Sequence, residues 1–126
     1  HKDTCALTLL HPDPVGGLEL RDRNDSWLDV DTPADALVVN IGDMMEIWSG
    51  GRLPSTPHRV INRSGPDRYS APFFLVPNHA TLVEPLVEPV PGFGRAPVAV
   101  GAWTAEVWRT NWPDAGSSDY DVGAIG

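Results

Sequence analysis

Short runs of apolar and alternating residues, most of them closed by glycine or proline, make up nearly the whole chain. Residues 1–10 read as a strand. Cys5, Leu7 and Leu9 alternate with Ala6, Thr8 and Leu10, and two mostly apolar rows suit a strand covered on both faces. His11-Pro12-Asp13-Pro14 and Gly16-Gly17 are turn chemistry. Short strands follow at 18–20, 27–30 and 37–41, with 21–25 as a polar hairpin tip. Residues 44–48 form one helical turn, broken by Gly50-Gly51. The next strands are 59–62 and 68–76; in the latter, Arg68, Ser70, Pro72 and Phe74 share a face. Pro72 has no N–H to donate, so that strand is interrupted or lies at an edge. Residues 80–91 are proline-rich and irregular apart from a short strand at 82–83. Residues 99–112 are the one good helix candidate, with Ala102, Ala105, Val107 and Trp108 as its apolar stripe.

About seven short β segments separated by turn signals predict a mainly β sandwich or jelly roll with one C-terminal helix. The composition agrees, because 13 Pro and 12 Gly suit many short strands and not a helical bundle. At 126 residues the chain is one domain, expected to occupy 1–112, with a Gly/Ser/Asp-rich flexible tail at 113–126. It does not begin with Met and reads as a processed or excised piece.

Charge narrows the function classes. There are 9 Lys and Arg against 17 Asp and Glu, a net charge of −8, with no basic cluster to meet a phosphate backbone, so nucleic acid is disfavoured. No apolar run approaches the roughly 20 residues of a membrane span, and there is no signal-like segment. The single cysteine, Cys5, excludes an internal disulfide and suits a reducing compartment, which places the expected location in the cytoplasm.

Two constellations carry chemistry. His1 and Asp3, at i and i+2, together with His58, supply two imidazoles and a carboxylate, the ligand set of a non-haem Fe(II) oxygenase. Arg68 and Ser70, also i and i+2, place a planar guanidinium beside a hydroxyl, a pair suited to a carboxylate. Taken singly, each residue has an ordinary reading. His1 would be an arbitrary first residue, His58 a buried histidine, and Arg68 a surface or ion-paired arginine. Asp43 and Glu46 read as a turn cap and a solvated face, Asn40 and Gly42 as strand-to-turn geometry, and the five Trp as core and helix anchors.

The series HKD, NIGDMMEIWSGGR, STPHRV and RYSAPFF resembles the C-terminal catalytic half of the 2-oxoglutarate- and iron(II)-dependent oxygenases. The branch is that of isopenicillin N synthase, the flavonoid oxygenases and the gibberellin oxidases. The likeness covers about residues 1–86, and its specificity lies in the order HxD, a histidine 55 residues on, and RxS ten residues after that. The resemblance implies a double-stranded β-helix, with the family's upstream half lying outside these residues. It implies Fe(II) on His1, Asp3 and His58, and Arg68 and Ser70 on the distal carboxylate of 2-oxoglutarate, with ascorbate as a candidate auxiliary. Thr8, Leu10, Val60 and Phe74 fall where family members line the substrate pocket.

The activity so implied couples oxidative decarboxylation of 2-oxoglutarate to hydroxylation, desaturation or cyclisation of a small organic molecule, with O2 as the other reactant. Family members that halogenate carry a small residue in place of the carboxylate ligand, so Asp3 argues against halogenation. Two other readings stay open. One is an isopenicillin N synthase-like oxidase that uses no 2-oxoglutarate; the other is a non-catalytic β-sandwich binding module.

Overall fold

Backbone hydrogen bonds decide where the strands begin. The computed structural model describes residues 1–63 and 65–111, so the expected tail at 113–126 lies outside the described residues. Among the described residues there are eight strands and two helices. In order they are β1 (Leu7–His11), β2 (Leu18–Arg21), β3 (Trp27–Asp29), β4 (Val38–Ile41), α1 (Asp43–Trp48), β5 (His58–Val60), β6 (Ala71–Leu75), β7 (Leu82–Val83), β8 (Val98–Ala99) and α2 (Val100–Asn111). The chain is mainly β, every strand pairing is antiparallel, and a helix closes the described C-terminal end.

The strands form three sheets, ordered β4-β1-β6, β3-β2-β5 and β7-β8. In the first, Thr8 is paired with both Asn40 and Phe74, and Leu10 with both Val38 and Pro72, so these residues point to one side. In the second, Leu20 pairs with His58 and Leu18 with Val60. The two sheets meet across a small cavity of about 30 Å³. Thr8, Leu10, Val38 and Asn40 line it from one side, and Leu18, Leu20 and His58 from the other. The apolar core is made of other residues: Ala6, Met44, Ile47, Val83 and Val100 are buried, and Trp48, Phe93 and Trp103 pack against them.

Four expectations are corrected. The strand read over 1–10 begins only at Leu7: the carbonyls of Asp3 and Cys5 accept from the N–H groups of Asp43 and Met44 at the start of α1, and Ala6, whose carbonyl accepts from Gly42 and whose N–H donates to Leu75 of β6, is the transition. The strand read over 68–76 is Ala71–Leu75, which leaves Arg68 and Ser70 ahead of it; Pro72 sits on β6, an edge strand. The apolar stripe of α2 is also different. Ala102, Ala105 and Trp108 are exposed, whereas Val100, Trp103, Thr104 and Val107, at i, i+3, i+4 and i+7, form its less exposed side. Tryptophan is not uniformly core: Trp27 lies under the Arg59 guanidinium at 4.0 Å, and Trp108 is exposed.

Candidate metal centre and anion clamp

The segment ahead of β1 is held by the start of α1. The N–H of Asp43 donates to the Asp3 carbonyl at 2.7 Å, that of Met44 to Cys5 at 3.2 Å and that of Gly42 to Ala6 at 3.0 Å. Gly42 is required by this approach, since a Cβ there would stand 2.0 Å from the Cys5 oxygen. α1 is itself fixed from outside by Arg95, which pairs with Asp43 at 3.2 Å and Glu46 at 3.0 Å. Asp43 is thus buried and ion-paired as well as opening the helix, and Glu46 is not simply a solvated face.

A second backbone pairing joins the two histidines. The His58 N–H donates to the His1 carbonyl at 2.9 Å, and the His1 nitrogen donates to the His58 carbonyl at 3.1 Å. The imidazoles then stand with centroids 4.3 Å apart at 65°. His1 is 71% exposed and His58 14%, so one ring faces out and the other in.

Between them sits Asp3, 7% exposed, with its two oxygens committed differently. Oδ2 accepts from the Thr8 hydroxyl at 2.6 Å and from the Asn40 amide at 2.8 Å. Oδ1 lies 3.5 Å from Nε2 of His1 and 3.5 Å from Nε2 of His58. These separations exceed the roughly 2.7–3.2 Å of an N–H···O hydrogen bond, so the three groups converge without bonding to one another. His58 Nδ1 lies 3.2 Å from the Thr56 carbonyl. An N–H there donates to that oxygen and leaves the Nε2 lone pair facing Asp3, the tautomer a metal ligand needs. All three candidate ligand atoms lie within 4.8 Å of one another. Two imidazole nitrogens and one carboxylate oxygen, unbonded among themselves and with His58 and Asp3 oriented from behind, fit a divalent transition metal.

Neighbouring Cys5 is buried, with Sγ 3.3 Å from Thr8 Oγ1. Burial pushes its thiol above the ordinary value, against the lowering effect of the Thr8 contact. It is therefore a protonated packing group and a poor ligand.

Arg68 and Ser70 form a second unit. Arg68 Nε donates to the Gly16 carbonyl at 2.7 Å, and Nη1 donates to Ser70 Oγ at 3.2 Å. That leaves three N–H donors of the guanidinium uncommitted among the described residues, beside a hydroxyl whose hydrogen is free to donate. The arrangement can take a carboxylate through a fork and a third bond. Of the four pocket candidates, Thr8 and Leu10 line the cavity next to Asp3, but the Thr8 hydroxyl is committed to Asp3. Val60 is 48% and Phe74 51% exposed, and neither lines that cavity.

Sequence reasoning missed Asn40. The signal was present: in Val38-Val39-Asn40-Ile41, the amide falls on the face shared with Val38, inside a β-branched run where an unpartnered polar group is costly.

Residues 1–77 match the model of the family described as the 2OG-Fe(II) oxygenase superfamily. The chain is 43% identical over 104 residues to the sexual differentiation process protein isp7 of Schizosaccharomyces pombe, covering 79% of this chain and 25% of that protein. It is 43% identical over 91 residues to gibberellin 2-beta-dioxygenase 6 of Oryza sativa subsp. japonica, covering 72% of this chain and 25% of that protein. Its structure resembles that of a full-length Neurospora crassa protein in complex with alpha-KG and thymine, with a TM-score of 0.72 and 28% identity over 89% of this chain and 36% of that one. The chain thus spans about a quarter of the length of these curated relatives.

Proposed function

The chain belongs to the 2OG-Fe(II) oxygenase superfamily, and from that premise we propose that it carries the iron and co-substrate sites of a 2-oxoglutarate-dependent dioxygenase. His1, Asp3 and His58 would hold Fe(II); Arg68 and Ser70 would hold the distal carboxylate of 2-oxoglutarate. The observation that carries this reading is the approach of both Nε2 atoms to Asp3 Oδ1, at 3.5 Å each, with no hydrogen bond among the three.

When bound, the ion supplies dioxygen activation and the oxidative decarboxylation of 2-oxoglutarate. In the overall balance, one oxygen atom of O2 enters succinate as CO2 leaves, and the other is available to a small organic substrate. Hydroxylation consumes that atom in the product, whereas desaturation or ring closure releases it as water. The protein's own tasks are binding and placement. Thr8 and Asn40 hold Oδ2 of Asp3 so that Oδ1 is the ligand oxygen. Arg68 draws a dianionic co-substrate toward a chain of net charge −8. Asp3, a carboxylate where halogenating members carry a small residue, favours oxygenation.

On this reading the three antiparallel sheets would belong to a double-stranded β-helix, and residues 1–112 would be the catalytic domain of an isopenicillin N synthase-like enzyme. A small-molecule substrate, ascorbate as an auxiliary reductant and a cytoplasmic location complete the reading. Among the described residues, no helix is long and apolar enough to cross a membrane.

The test is anaerobic addition of Fe(II) and 2-oxoglutarate to the intact protein, followed by turnover in air. The expected result is a weak visible band that needs both components and is lost in His58→Ala, with succinate formation abolished in Arg68→Ala. Oxygen consumption that is indifferent to 2-oxoglutarate would replace this reading with an oxidase. Absence of metal binding would replace it with a non-catalytic module.

A further inference from the structure

Arg68, Tyr69 and Ser70 precede the first ladder residue of β6, Ala71, so no strand partner fixes them. Tyr69 itself is 75% exposed. What holds this tripeptide is the turn between β1 and β2, 56 positions upstream of Tyr69. There the Asp13 carboxylate is divided: Oδ1 accepts from the Val15 N–H at 2.7 Å, and Oδ2 accepts from the Tyr69 N–H. The Asp13 carbonyl accepts from the Gly16 N–H at 3.0 Å, and Gly16, at φ 78°, presents its own carbonyl to Arg68 Nε at 2.7 Å. One turn thus grips the peptide between Arg68 and Ser70 and, separately, the root of the guanidinium.

We infer that Asp13 is a positioning residue for the anion clamp, setting the spacing and direction of Arg68 and Ser70 by holding the Tyr69 peptide. The inference rests on the reading of Arg68 and Ser70 as the co-substrate clamp. The charge balance is consistent with it. A bare carboxylate beside a dianion site would repel the ligand, but this one is compensated by two peptide N–H donors and by the nearby Arg68 charge. Those same donors, Tyr69 first and Val15 second, hold its carboxyl below the usual carboxylate range. Asp13 therefore stays ionised and keeps both acceptors in use.

The consequence is one of recognition. The distance from the metal end of the co-substrate to its distal carboxylate is read by Arg68 and Ser70, so a shifted Tyr69 blurs the distinction between 2-oxo diacids of different length. A turn residue that only stabilised the fold would leave that distinction intact.

The experiment measures anaerobic binding of 2-oxoglutarate, oxaloacetate and 2-oxoadipate to the Fe(II)-loaded intact protein, in wild type, Asp13→Asn and Arg68→Ala. The Val15 and Tyr69 N–H groups go to different oxygens of Asp13, so in Asn, with the side chain held in the same place, an NH2 faces one of them and that bond is lost. The expected result for Asp13→Asn is about tenfold weaker 2-oxoglutarate binding, a narrowed preference over the shorter and longer diacids, and unchanged Fe(II) affinity. Unchanged 2-oxoglutarate affinity and chain-length preference in Asp13→Asn, with Arg68→Ala impaired, would overturn the role of Asp13 alone. Equal binding in wild type and Arg68→Ala would overturn the clamp itself. If Asp13→Asn does not fold, Asp13→Glu, which keeps both acceptors but displaces them by a methylene, is read against the same outcomes.

Discussion

The Thr8 hydroxyl donates to Oδ2 of Asp3 at 2.6 Å, the shorter of the two bonds that carboxylate oxygen receives. Thr8 and Asn40 are directly paired across β1 and β4, so the two donors are set by strand register and reach the carboxylate from one rung of the ladder. Removing one donor frees the carboxylate to rotate and leaves part of a buried charge unsatisfied. Thr8→Val, close in shape but lacking the hydroxyl, should weaken metal binding about tenfold and lower stability by about 1–2 kcal/mol. Thr8→Ser should restore most of the metal affinity. Metal titration of the three proteins checks this, and equal affinity in Thr8→Val would remove Thr8 from the site.

Gly42 provides a steric test of the same segment. A methyl group there would meet the Cys5 carbonyl oxygen at 2.0 Å and the Asp3 carbonyl oxygen at 3.2 Å, both backbone atoms that cannot swing away. Gly42→Ala should therefore cost about 3 kcal/mol or more and displace the Asp3 backbone, weakening metal binding as well. Gly94→Ala, where a Cβ meets nothing within 4 Å, is the matched control and should stay within about 0.5 kcal/mol of wild type. Urea unfolding of both variants decides the point, with equal midpoints as the contrary result.

Glu19 gives the pH prediction. It is buried at 4% exposure, with Arg59 Nε donating to Oε2 at 2.6 Å and the Arg63 guanidinium donating to Oε1. The Arg63 bond, then the Arg59 bond, holds its carboxyl below the ordinary value of 4.5. A carboxyl with a depressed folded value contributes stability that is present above its unfolded value and lost as pH falls through the folded one. Wild-type stability should therefore fall as pH drops below about 4.5, and Glu19→Gln should fall less steeply over that window whatever its starting stability. Denaturation curves at several pH values check the slope; parallel profiles would rule the contribution out.

Parts of this architecture were legible in the residues. The alternation at Leu18 and Leu20, the β-branched run ending in Ile41 and the turn glycines marked the β elements, because each is a local matter of period and backbone freedom. The residues illegible to pattern were those whose partners lie far off in sequence. Nothing local says that the carbonyls of Asp3 and Cys5 turn to the start of α1, or that Asp13 holds Tyr69. In α2 the buried side is selected by what Val100 and Trp103 pack against, so the small residues Ala102 and Ala105, apolar by composition, end up facing water. Asn40 falls between these cases, since its inward register could be counted but its acceptor could not.

The N–H groups of Gly42, Asp43 and Met44 grip the segment that carries Asp3 through the carbonyls of Ala6, Asp3 and Cys5, and one ion pair, Lys2 Nζ to Glu46 Oε2 at 3.8 Å, adds a side-chain link to α1. Peptide groups are the same in every residue except proline, so the backbone part of this attachment does not depend on which side chains flank it. A protein engineer could therefore vary Thr4 and the outward positions of α1 other than Glu46 to alter the surroundings of the two ligands without moving the Asp3 backbone. The freedom ends at one position, where the only tolerated letter is the one with no side chain.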